Sequence, residues 1–263
     1  MMNNATIEQL RALKLPGFIS ELQEQASRLG IHALSFEERL ALLVQREVHI
    51  REDRKRGRLL QRAKLKYSQA AIEDMDTRPG RGLERPDLIR LANSGWVQHG
   101  DTVLLVGPTG VGKTWLACAL AQHACRQGYS SLYLRMPRLT EELRALHASG
   151  SFGRWLQTIA KTDVLVLDDW AITPLDPALR ADLLEIIDDR AAHKATVITT
   201  QLPPDHWHGW IGDATLADAM LDRLMQRLQR IDLKGESIRR PSTRPPPKPI
   251  KKEAPNGDRD RTA

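Results

Sequence analysis

The sequence predicts an α/β fold in which a parallel sheet is flanked by helices and preceded by a small all-α region. Three observations support this fold class. From about residue 100 onward, short runs rich in leucine and β-branched residues alternate with helical stretches, as in a parallel sheet covered on both faces. A glycine-rich motif lies between the first of these runs and the next helix. Residues 1–75 instead have the pattern of helices throughout.

Residues 1–75 are predicted to be helical throughout and to form an N-terminal domain. Ser35, followed three residues later by Glu38, is typical of a capping box at a helix start. The helix that begins there is expected to continue through Lys66. Its apolar residues recur at helical spacing, namely Leu40, Leu43, Val44 and Val48.

The second part of this helix is strongly basic. From residue 46 to residue 66 there are nine basic and three acidic residues, an excess equal to the net charge of +6 of the whole chain. Such a segment is either a solvated helix face or a contact for the DNA backbone, and we favour the DNA contact. The predicted DNA-binding residues are Arg46, Arg51, Arg54, Lys55, Arg56, Arg58, Arg62, Lys64 and Lys66.

A cluster of glycines and prolines marks a boundary after the basic segment. Pro79, Gly80, Gly82 and Pro86 predict a hinge over residues 76–86. The second domain is predicted to span residues 87–240. Residues 241–263 are rich in proline and charge without apolar periodicity, and this tail is expected to be disordered.

The second domain contains the predicted sheet. The expected strands are 102–106, 130–134, 163–167 and 196–200, with a short final strand at 230–233. The expected helices are at about 112–127, 138–160 with a break near Gly150, 177–192 and 214–228. No internal repeat is present.

Composition excludes several classes of protein. With 41% hydrophobic and 27% charged residues, a disordered chain is excluded. No run approaches the roughly 18 apolar residues of a membrane-spanning helix, so we expect no membrane partner. Cys118 and Cys125 form no CxxC pair and are expected to be buried in a reducing compartment, which favours a cytoplasmic protein. The pI near 9.5 favours a polyanionic partner.

The glycine-rich motif matches GxxxxGK[ST] and predicts a phosphate site. It follows a strand and opens a helix, which is the context that the motif requires. Backbone N–H groups of the loop would bind phosphate oxygens, the lysine would reach the β- and γ-phosphates, and the threonine hydroxyl would ligate Mg²⁺. The residues are Gly107, Pro108, Thr109, Gly110, Val111, Gly112, Lys113 and Thr114.

Two carboxylates directly follow a hydrophobic run about 55 residues downstream. Asp168 is predicted to bind the Mg²⁺ ion, and Asp169 to orient or deprotonate the attacking water. The alternative is a helix N-cap, which would be the better interpretation of the pair without the motif upstream. Together with that motif, the pair predicts ATP hydrolysis.

The strand at 196–200 ends in polar residues that could sense the nucleotide. If this strand lies between the motif strand and the acidic strand, its end points at the γ-phosphate. Thr199, Thr200 and Gln201 are the candidates, and Gln201 is favoured because its amide can both donate to phosphate and hold water. Ordinary hydrogen bonding of these polar side chains at the strand end is an alternative that the sequence supports equally well.

Several segments in this order resemble the IstB-like ATP-binding proteins, the ATPases encoded beside the transposase in certain insertion sequences. That family is similar to the DnaC-type helicase loaders of the AAA+ superfamily. The resemblance covers about residues 5–240 and is carried by residues 34–47, 107–130, 165–170, 201–224 and 230–240. Residues 201–224, QLPPDHWHGWIGDATLADAMLDRL, and the LKGES segment are the most specific parts.

The resemblance implies a AAA+ P-loop fold, with ATP and Mg²⁺ as cofactors and ATP bound between neighbouring copies of the chain. It also implies binding of duplex DNA, a cognate transposase as partner, and assistance to transposition. The resemblance also implies that Arg223 is an arginine finger for the adjacent protomer. Without the resemblance, the sequence favours a surface salt bridge for this residue. Arg239 and Arg240 are weaker candidates for a sensor within the same chain.

The chain departs from the family pattern after the two acids, where Trp170 and Ala171 replace the usual Phe-Gly or Leu-Gly. Two other functions remain open. One is a DnaC-like helicase loader, whose N-terminal helices would bind a helicase. The other is a nucleotide-binding DNA adaptor that never hydrolyses ATP.

Overall fold

The computed structural model describes residues 4–237, which form one five-stranded sheet with helices on both faces. The helices are α1 Asn4–Ala12, α2 Pro16–Ser27, α3 Phe36–Ala63, α4 Arg85–Ala92, α5 Gly95–His99, α6 Lys113–Arg126, α7 Met136–Ala148, α8 Phe152–Lys161, α9 Pro177–Asp188, α10 Trp207–Ile211 and α11 Ala214–Met225. The strands are β1 Thr102–Val106, β2 Ser131–Arg135, β3 Val164–Trp170, β4 Ala195–Thr200 and β5 Leu228–Asp232.

All five strands are parallel, in the order β2-β3-β4-β1-β5. Every residue of β1 and β4 is buried, as in strands that are covered on both faces of a parallel sheet. β4 lies between β1 and β3, as expected for the strand at 196–200. The carboxyl ends of β1, β3 and β4 therefore meet at one edge of the sheet, with Val106 opposite Thr200.

The core has two layers because alternate residues of each strand face opposite sides of the sheet. Leu104 and Val106 of β1 pack in the cluster formed with α7, α8, α9 and α11. Val103 and Leu105 pack in the cluster formed with α4, α5 and α6. The sheet is therefore buried on both faces, as the pattern of strands and helices predicts.

The predicted capping box at the start of α3 is confirmed, but the helix is shorter than expected. The Ser35 side chain accepts a hydrogen bond from the Glu38 backbone, and the Glu38 side chain accepts one from the Ser35 backbone. The helix ends at Ala63, where Lys64 adopts a left-handed conformation with φ of 51°. The prediction that residues 1–75 are helical throughout is wrong beyond this point.

The chain turns at Lys64 because the next residues pack on the sheet domain. Ala70 is fully buried against α6, where it contacts a cluster containing Cys118. Ile72 and Leu83 are buried in the core layer formed with α6. Burial of these apolar side chains stabilises the turn more than one further helical turn of charged residues would. The division into domains at residues 75 and 86 stays a prediction.

The predicted strands are confirmed, with shifts of one to three residues at the ends of β2, β3, β4 and β5. The helix break near Gly150 is confirmed, and this residue has φ of 67°. The helix predicted at 214–228 ends at Met225, because Leu228 already pairs with Thr102 in the sheet. The tail at 241–263 lies outside the described residues. No helix within residues 4–237 is long and apolar enough to cross a membrane.

Candidate functional site

The glycine-rich loop connects β1 to α6 at the carboxyl edge of the sheet. Gly110 and Gly112 have φ of 88° and 105°, a left-handed conformation that glycine adopts without strain. A Cβ atom at Gly107 would lie 2.3 Å from the Leu233 carbonyl oxygen, and one at Gly110 would lie 2.1 Å from Ser237 Oγ. The glycines are therefore needed both for the curvature of the loop and for its close packing on residues 233–237.

Lys113 begins α6, and its side chain folds back over the loop. Its Nζ donates hydrogen bonds to the carbonyl oxygens of Gly107 at 2.8 Å and Pro108 at 2.9 Å. The lysine is buried, with 8% of its surface exposed. A positive charge and a helix N-terminus thus lie together inside the loop, which is the electrostatic arrangement that binds phosphate groups.

Asp168 is fully buried and accepts hydrogen bonds from three neutral hydroxyl groups. Thr114 Oγ1 and Thr199 Oγ1 donate to its Oδ1 at 2.8 Å and 2.6 Å. The Tyr133 hydroxyl donates to its Oδ2 at 2.5 Å. Burial, together with this hydrogen bond, raises the pKa of Tyr133, so the phenol stays protonated and remains a donor.

The same contacts fit the predicted Mg²⁺ site. The Thr114 hydroxyl and the Asp168 carboxylate, whose oxygens lie 2.8 Å apart, are the hard oxygen ligands that this ion prefers. The three hydroxyl donors of Asp168 are all neutral. Both residues predicted as metal ligands are thus brought together beside Lys113.

Asp169 points away from Asp168 and into the solvent-accessible part of the site. Its backbone has φ of 60°, and the register of β3 against β4 shifts between Leu167 and Trp170. This bulge turns two consecutive carboxylates to different sides. Ala171 also has a positive φ, of 63°, a conformation that glycine adopts with less strain than alanine.

The carboxylate of Asp169 forms an ion pair with Arg135, at the end of β2. Arg135 Nε lies 2.7 Å from Asp169 Oδ2, and the Asp169 backbone N–H donates to Thr199 Oγ1 at 3.1 Å. The hydrogen bond to Asp169 and the charge of that carboxylate raise the pKa of Arg135. The guanidinium engages one carboxylate oxygen, so the ion pair restrains the position of the residue predicted to act on water.

These groups line a cavity of about 430 Å³, within the range of ligand sites. Its walls include Gly110, Gly112, Lys113, Thr114, Trp115, Arg135, Asp169 and Gln201. Gln201 contacts the loop directly, because Thr109 Oγ1 donates to its Oε1 at 2.7 Å. By contrast, the Thr200 hydroxyl donates to the backbone carbonyls of Trp170 and Leu202, both at 3.1 Å. The backbone carbonyl of Thr200 accepts from the Gly107 N–H at 3.2 Å, but of the three candidates Gln201 is the one whose side chain bonds to the loop.

A smaller, mostly apolar pocket of about 250 Å³ lies on the other side of the loop. Met75, Leu83, Val111, Trp115 and Leu233 supply its apolar lining, and Gly112 lies at its border. The Arg81 side chain supports it by donating to the Val111 carbonyl at 3.1 Å. Sequence reasoning missed this pocket, because its residues come from segments more than 100 positions apart.

Tyr133 and Arg135 were also missed as site residues. Both belong to β2, which pairs with β3 so that Arg135 lies opposite Asp168. The sequence signal that could have identified Arg135 is its position as a polar residue at the end of a predicted strand. The carboxyl ends of parallel strands meet at one edge of the sheet, so such a residue is a candidate for the site at that edge. The sequence does not indicate which strand neighbours the acidic one, so the signal alone was not sufficient.

Arg223 lies on α11 and is not part of the cavity in its own chain. Its Nε forms an ion pair with Asp188 at the end of α9, and its Nη1 donates to the Ala219 carbonyl at 2.9 Å. The surface salt bridge that the residues alone favoured is therefore present, and its partner is Asp188. The sensor candidates Arg239 and Arg240 lie outside the described residues.

The nine predicted DNA-binding residues divide into two groups. Arg46, Arg51 and Arg56 form ion pairs with acids of α2 or α3, such as Arg51 with Glu47 at 2.7 Å. The others are exposed and form no ion pair within residues 4–237. They are Arg54, Lys55, Arg58 and Arg62 on α3, and Lys64 and Lys66 just beyond its end.

Comparison with known proteins identifies relatives along almost the whole chain. The family model described as IstB-like ATP binding protein matches residues 8–245. A Pseudomonas fluorescens protein of insertion sequence IS1162, named for ATP binding, is 53% identical over 203 residues, covering 77% of this chain and 88% of the relative. A Sinorhizobium fredii insertion sequence protein, also named for ATP binding, is 43% identical over 240 residues, covering 91% and 98%.

Solved structures support the same relationship at the level of fold. The DnaC helicase loader superposes with a TM-score of 0.54 at 22% identity, covering 64% of this chain and 98% of that chain. DnaI superposes with a TM-score of 0.55 at 24% identity, covering 63% and 92%. The fold is the AAA+ P-loop fold that the resemblance implied, with a helical N-terminal region. The chain belongs to the family of IstB-like ATP-binding proteins.

Proposed function

We propose that this protein is an ATP-dependent, DNA-binding AAA+ ATPase that assists transposition, by selecting target DNA and stimulating a cognate transposase. The observation that carries the proposal is the convergence of Lys113, Thr114, Asp169 and Gln201 around one cavity at the carboxyl edge of the sheet, with Asp168 hydrogen-bonded to Thr114 beneath it. The insertion sequence relatives support the assignment to transposition. The reaction is hydrolysis of ATP to ADP and phosphate.

In the proposed reaction, the loop N–H groups and Lys113 bind the β- and γ-phosphates. Thr114 and Asp168 hold Mg²⁺, which neutralises charge on the phosphate oxygens when bound. Asp169 orients a water molecule and accepts its proton as the water oxygen attacks the γ-phosphorus. Gln201, beside Thr109, donates a hydrogen bond to the γ-phosphate and senses its presence.

The ion pair of Asp169 with Arg135 must open for this step. A γ-phosphate beside Lys113 would compete with Asp169 for the Arg135 guanidinium, because phosphate accepts bidentate hydrogen bonds from arginine. The released carboxylate is then free to act on water. Nucleotide binding and activation of the base are thereby linked through one side chain.

The apolar pocket beside Val111 is proposed as the site of the nucleotide base. It borders Gly112 of the loop, and its apolar lining suits the faces of a flat aromatic ring. Asp76 and Arg81, which also line the pocket, offer hydrogen-bonding groups for the edge of the base. The two cavities would then hold the two ends of one nucleotide.

Arg223 is proposed to complete the site of the neighbouring copy. We expect Arg223→Ala to bind ATP normally and to lower turnover by about 10³-fold, the typical effect of losing an arginine finger. Mixing this variant with Lys113→Ala protein should restore activity, because one hybrid interface then combines an intact loop with an intact arginine. Turnover of radiolabelled ATP across a series of mixing ratios measures this effect.

The control for Arg223 is its partner within the chain. Asp188→Asn breaks the same ion pair but leaves the arginine in place. If the arginine acts in trans, Asp188→Asn retains turnover, whereas a purely structural salt bridge predicts equal losses for both variants. Equal losses, or no rescue in mixtures shown to co-assemble, would contradict the trans role.

Duplex DNA is proposed to bind along the exposed basic residues of α3. Binding should depend steeply on salt and little on base sequence, because contacts to phosphates release counterions without reading bases. Changing Arg54, Lys55 and Arg58 to Glu should weaken binding and flatten the slope of log affinity against log salt by roughly 3 units, at about 0.9 for each phosphate contact. Fluorescence anisotropy with labelled duplexes measures both quantities.

A matched charge control separates this contact from a general effect of net charge. Changing Arg28, Arg85 and Arg90 to Glu alters the net charge equally at exposed positions away from the basic part of α3. ATP should strengthen binding by wild type, since assembly at the nucleotide interface would align several basic helices on one duplex. Wild-type binding that is insensitive to both salt and ATP would refute this mechanism.

A further inference from the structure

A groove of about 960 Å³ runs along the outer edge of the sheet and adjoins the cavity at the glycine-rich loop, because Lys66 and Arg135 line both. Its floor is β2, which is the terminal strand of the sheet. All six consecutive residues 130–135 line the groove, whereas one face of a strand would contribute only alternate residues. The groove therefore exposes the edge of the strand. We call it the basic groove.

The edge of β2 retains backbone hydrogen-bonding groups. The Val164 N–H donates to the Ser130 carbonyl at 2.9 Å, so even-numbered residues of β2 turn their backbone groups toward β3. The N–H and C=O of Tyr133 therefore point outward. Within residues 4–237 they pair with no other strand, because β2 has a single neighbour in the sheet.

The two sides of the basic groove combine apolar and positively charged groups. Leu59 of α3 lies on one side, and Leu139, Trp155 and Ile159 lie on the other. Arg62, Lys64 and Lys66 supply charge from the first side. Arg135, Arg138, Arg154 and Lys161 supply it from the second, against a single acidic lining residue, Glu142.

We propose that the basic groove binds an extended acidic peptide of a partner protein, which adds as a strand to the edge of β2. Backbone hydrogen bonds along the strand would give affinity, and the side chains of the groove would select sequence. Alternating apolar and acidic residues fit best, since apolar side chains can pack near Trp155 while carboxylates reach the surrounding basic groups. The five residues of β2 correspond to a paired segment of roughly 16 Å.

Other occupants fit the groove less well. The chain's own residues 238–263 contain eight basic and three acidic residues and six prolines, so they match neither the charge nor the backbone pairing of the groove. A nucleic acid would satisfy the positive charge, but it would leave the outward backbone groups of Tyr133 and the apolar lining without matched contacts. The groove shares Arg62, Lys64 and Lys66 with the predicted DNA-binding residues, and Arg135 with the proposed ATPase site. Arg138 and Arg154 belong to neither set, so variants at these two positions test the peptide site separately.

The test uses the full-length protein and a fluorescein-labelled octapeptide of alternating glutamate and valine, capped at both ends. Fluorescence anisotropy should show saturable binding. A second peptide carries N-methyl groups on alternate amides, which removes the donors for strand addition while keeping charge and side chains. We expect it to bind at least tenfold more weakly, because charge attraction alone does not replace the backbone hydrogen bonds.

Two protein variants test where the peptide binds. Arg138→Glu with Arg154→Glu changes two exposed basic side chains of the groove, and we expect at least a tenfold loss of affinity. Arg28→Glu with Arg85→Glu makes the same change of net charge elsewhere and should leave the affinity within about twofold. Thermal unfolding of each variant checks that the fold is retained.

Three results would overturn the proposal. They are absence of saturable binding of the first peptide, equal binding of the N-methylated peptide, and equal losses in the two double variants. A fourth arm uses a fluorescein-labelled pentathymidine, whose four internucleotide phosphates match the charge of the four glutamates. If it binds wild type more tightly than the peptide, and loses affinity through Arg138→Glu with Arg154→Glu, the groove is a nucleic-acid site instead.

Discussion

Lys113→Ala is expected to abolish ATP binding. Lys113 is the only lysine of the glycine-rich loop, and its Nζ already lies at the loop carbonyls of Gly107 and Pro108. A hydrogen bond between charged groups contributes about 1.5–3 kcal/mol, and Lys113 would form such contacts with both the β- and γ-phosphates. Losing them should weaken binding by at least 100-fold, since about 1.4 kcal/mol corresponds to tenfold.

Titration with a fluorescent ATP analogue measures this loss. Lys64→Ala is a matched control, because it removes an exposed lysine outside the loop and should leave nucleotide affinity unchanged. A thermal unfolding curve distinguishes loss of the site from loss of the fold. Nucleotide affinity of Lys113→Ala within a few fold of wild type would show that the loop does not bind phosphate in the proposed way.

Asp169→Asn should keep ATP binding and lose hydrolysis. The substitution leaves Thr114, Asp168 and the loop in place but removes the group proposed to accept the proton of the attacking water. General-base catalysis typically contributes 10²–10⁴-fold, so turnover should fall by about that factor. The ion pair with Arg135 is partly exposed, so its loss should change the free energy of unfolding by about 1 kcal/mol or less.

Phosphate release measures turnover, and the fluorescent analogue measures affinity in the same samples. Asp189→Asn removes an exposed carboxylate outside the site and serves as the control. For Asp168→Asn we expect a different result, namely weaker Mg²⁺-dependent binding of ATP, because a proposed metal ligand is lost. If Asp169→Asn hydrolyses ATP at the wild-type rate, the catalytic role of Asp169 is wrong.

Much of the fold and of the phosphate site could be predicted because the signals are local. The strand TVLLV, the glycine-rich loop and the helix opened by Lys113 and Thr114 are consecutive in the chain. The glycines, the lysine and the threonine have spacing that is specific to this loop. Asp168 and Asp169 could be assigned because they end a strand of the same parallel sheet.

Contacts between distant segments decided the rest. The end of α3 at Ala63 depends on the packing of residues 70–83 against α6 and the adjoining core. The helical spacing of the charged residues in α3 does not indicate that packing. Likewise, Arg223 pairs with Asp188 because α9 and α11 lie side by side.

Strand order determined the contacts of the two carboxylates. Because β2 neighbours β3, Tyr133 reaches Asp168 and Arg135 reaches Asp169 from positions more than 30 residues away. The same order leaves β2 at the edge of the sheet and creates the basic groove. The residue types and spacing of the loop were therefore sufficient to identify a phosphate site, whereas the side chains that restrain it depend on which strands become neighbours, a property of long-range packing rather than of local sequence.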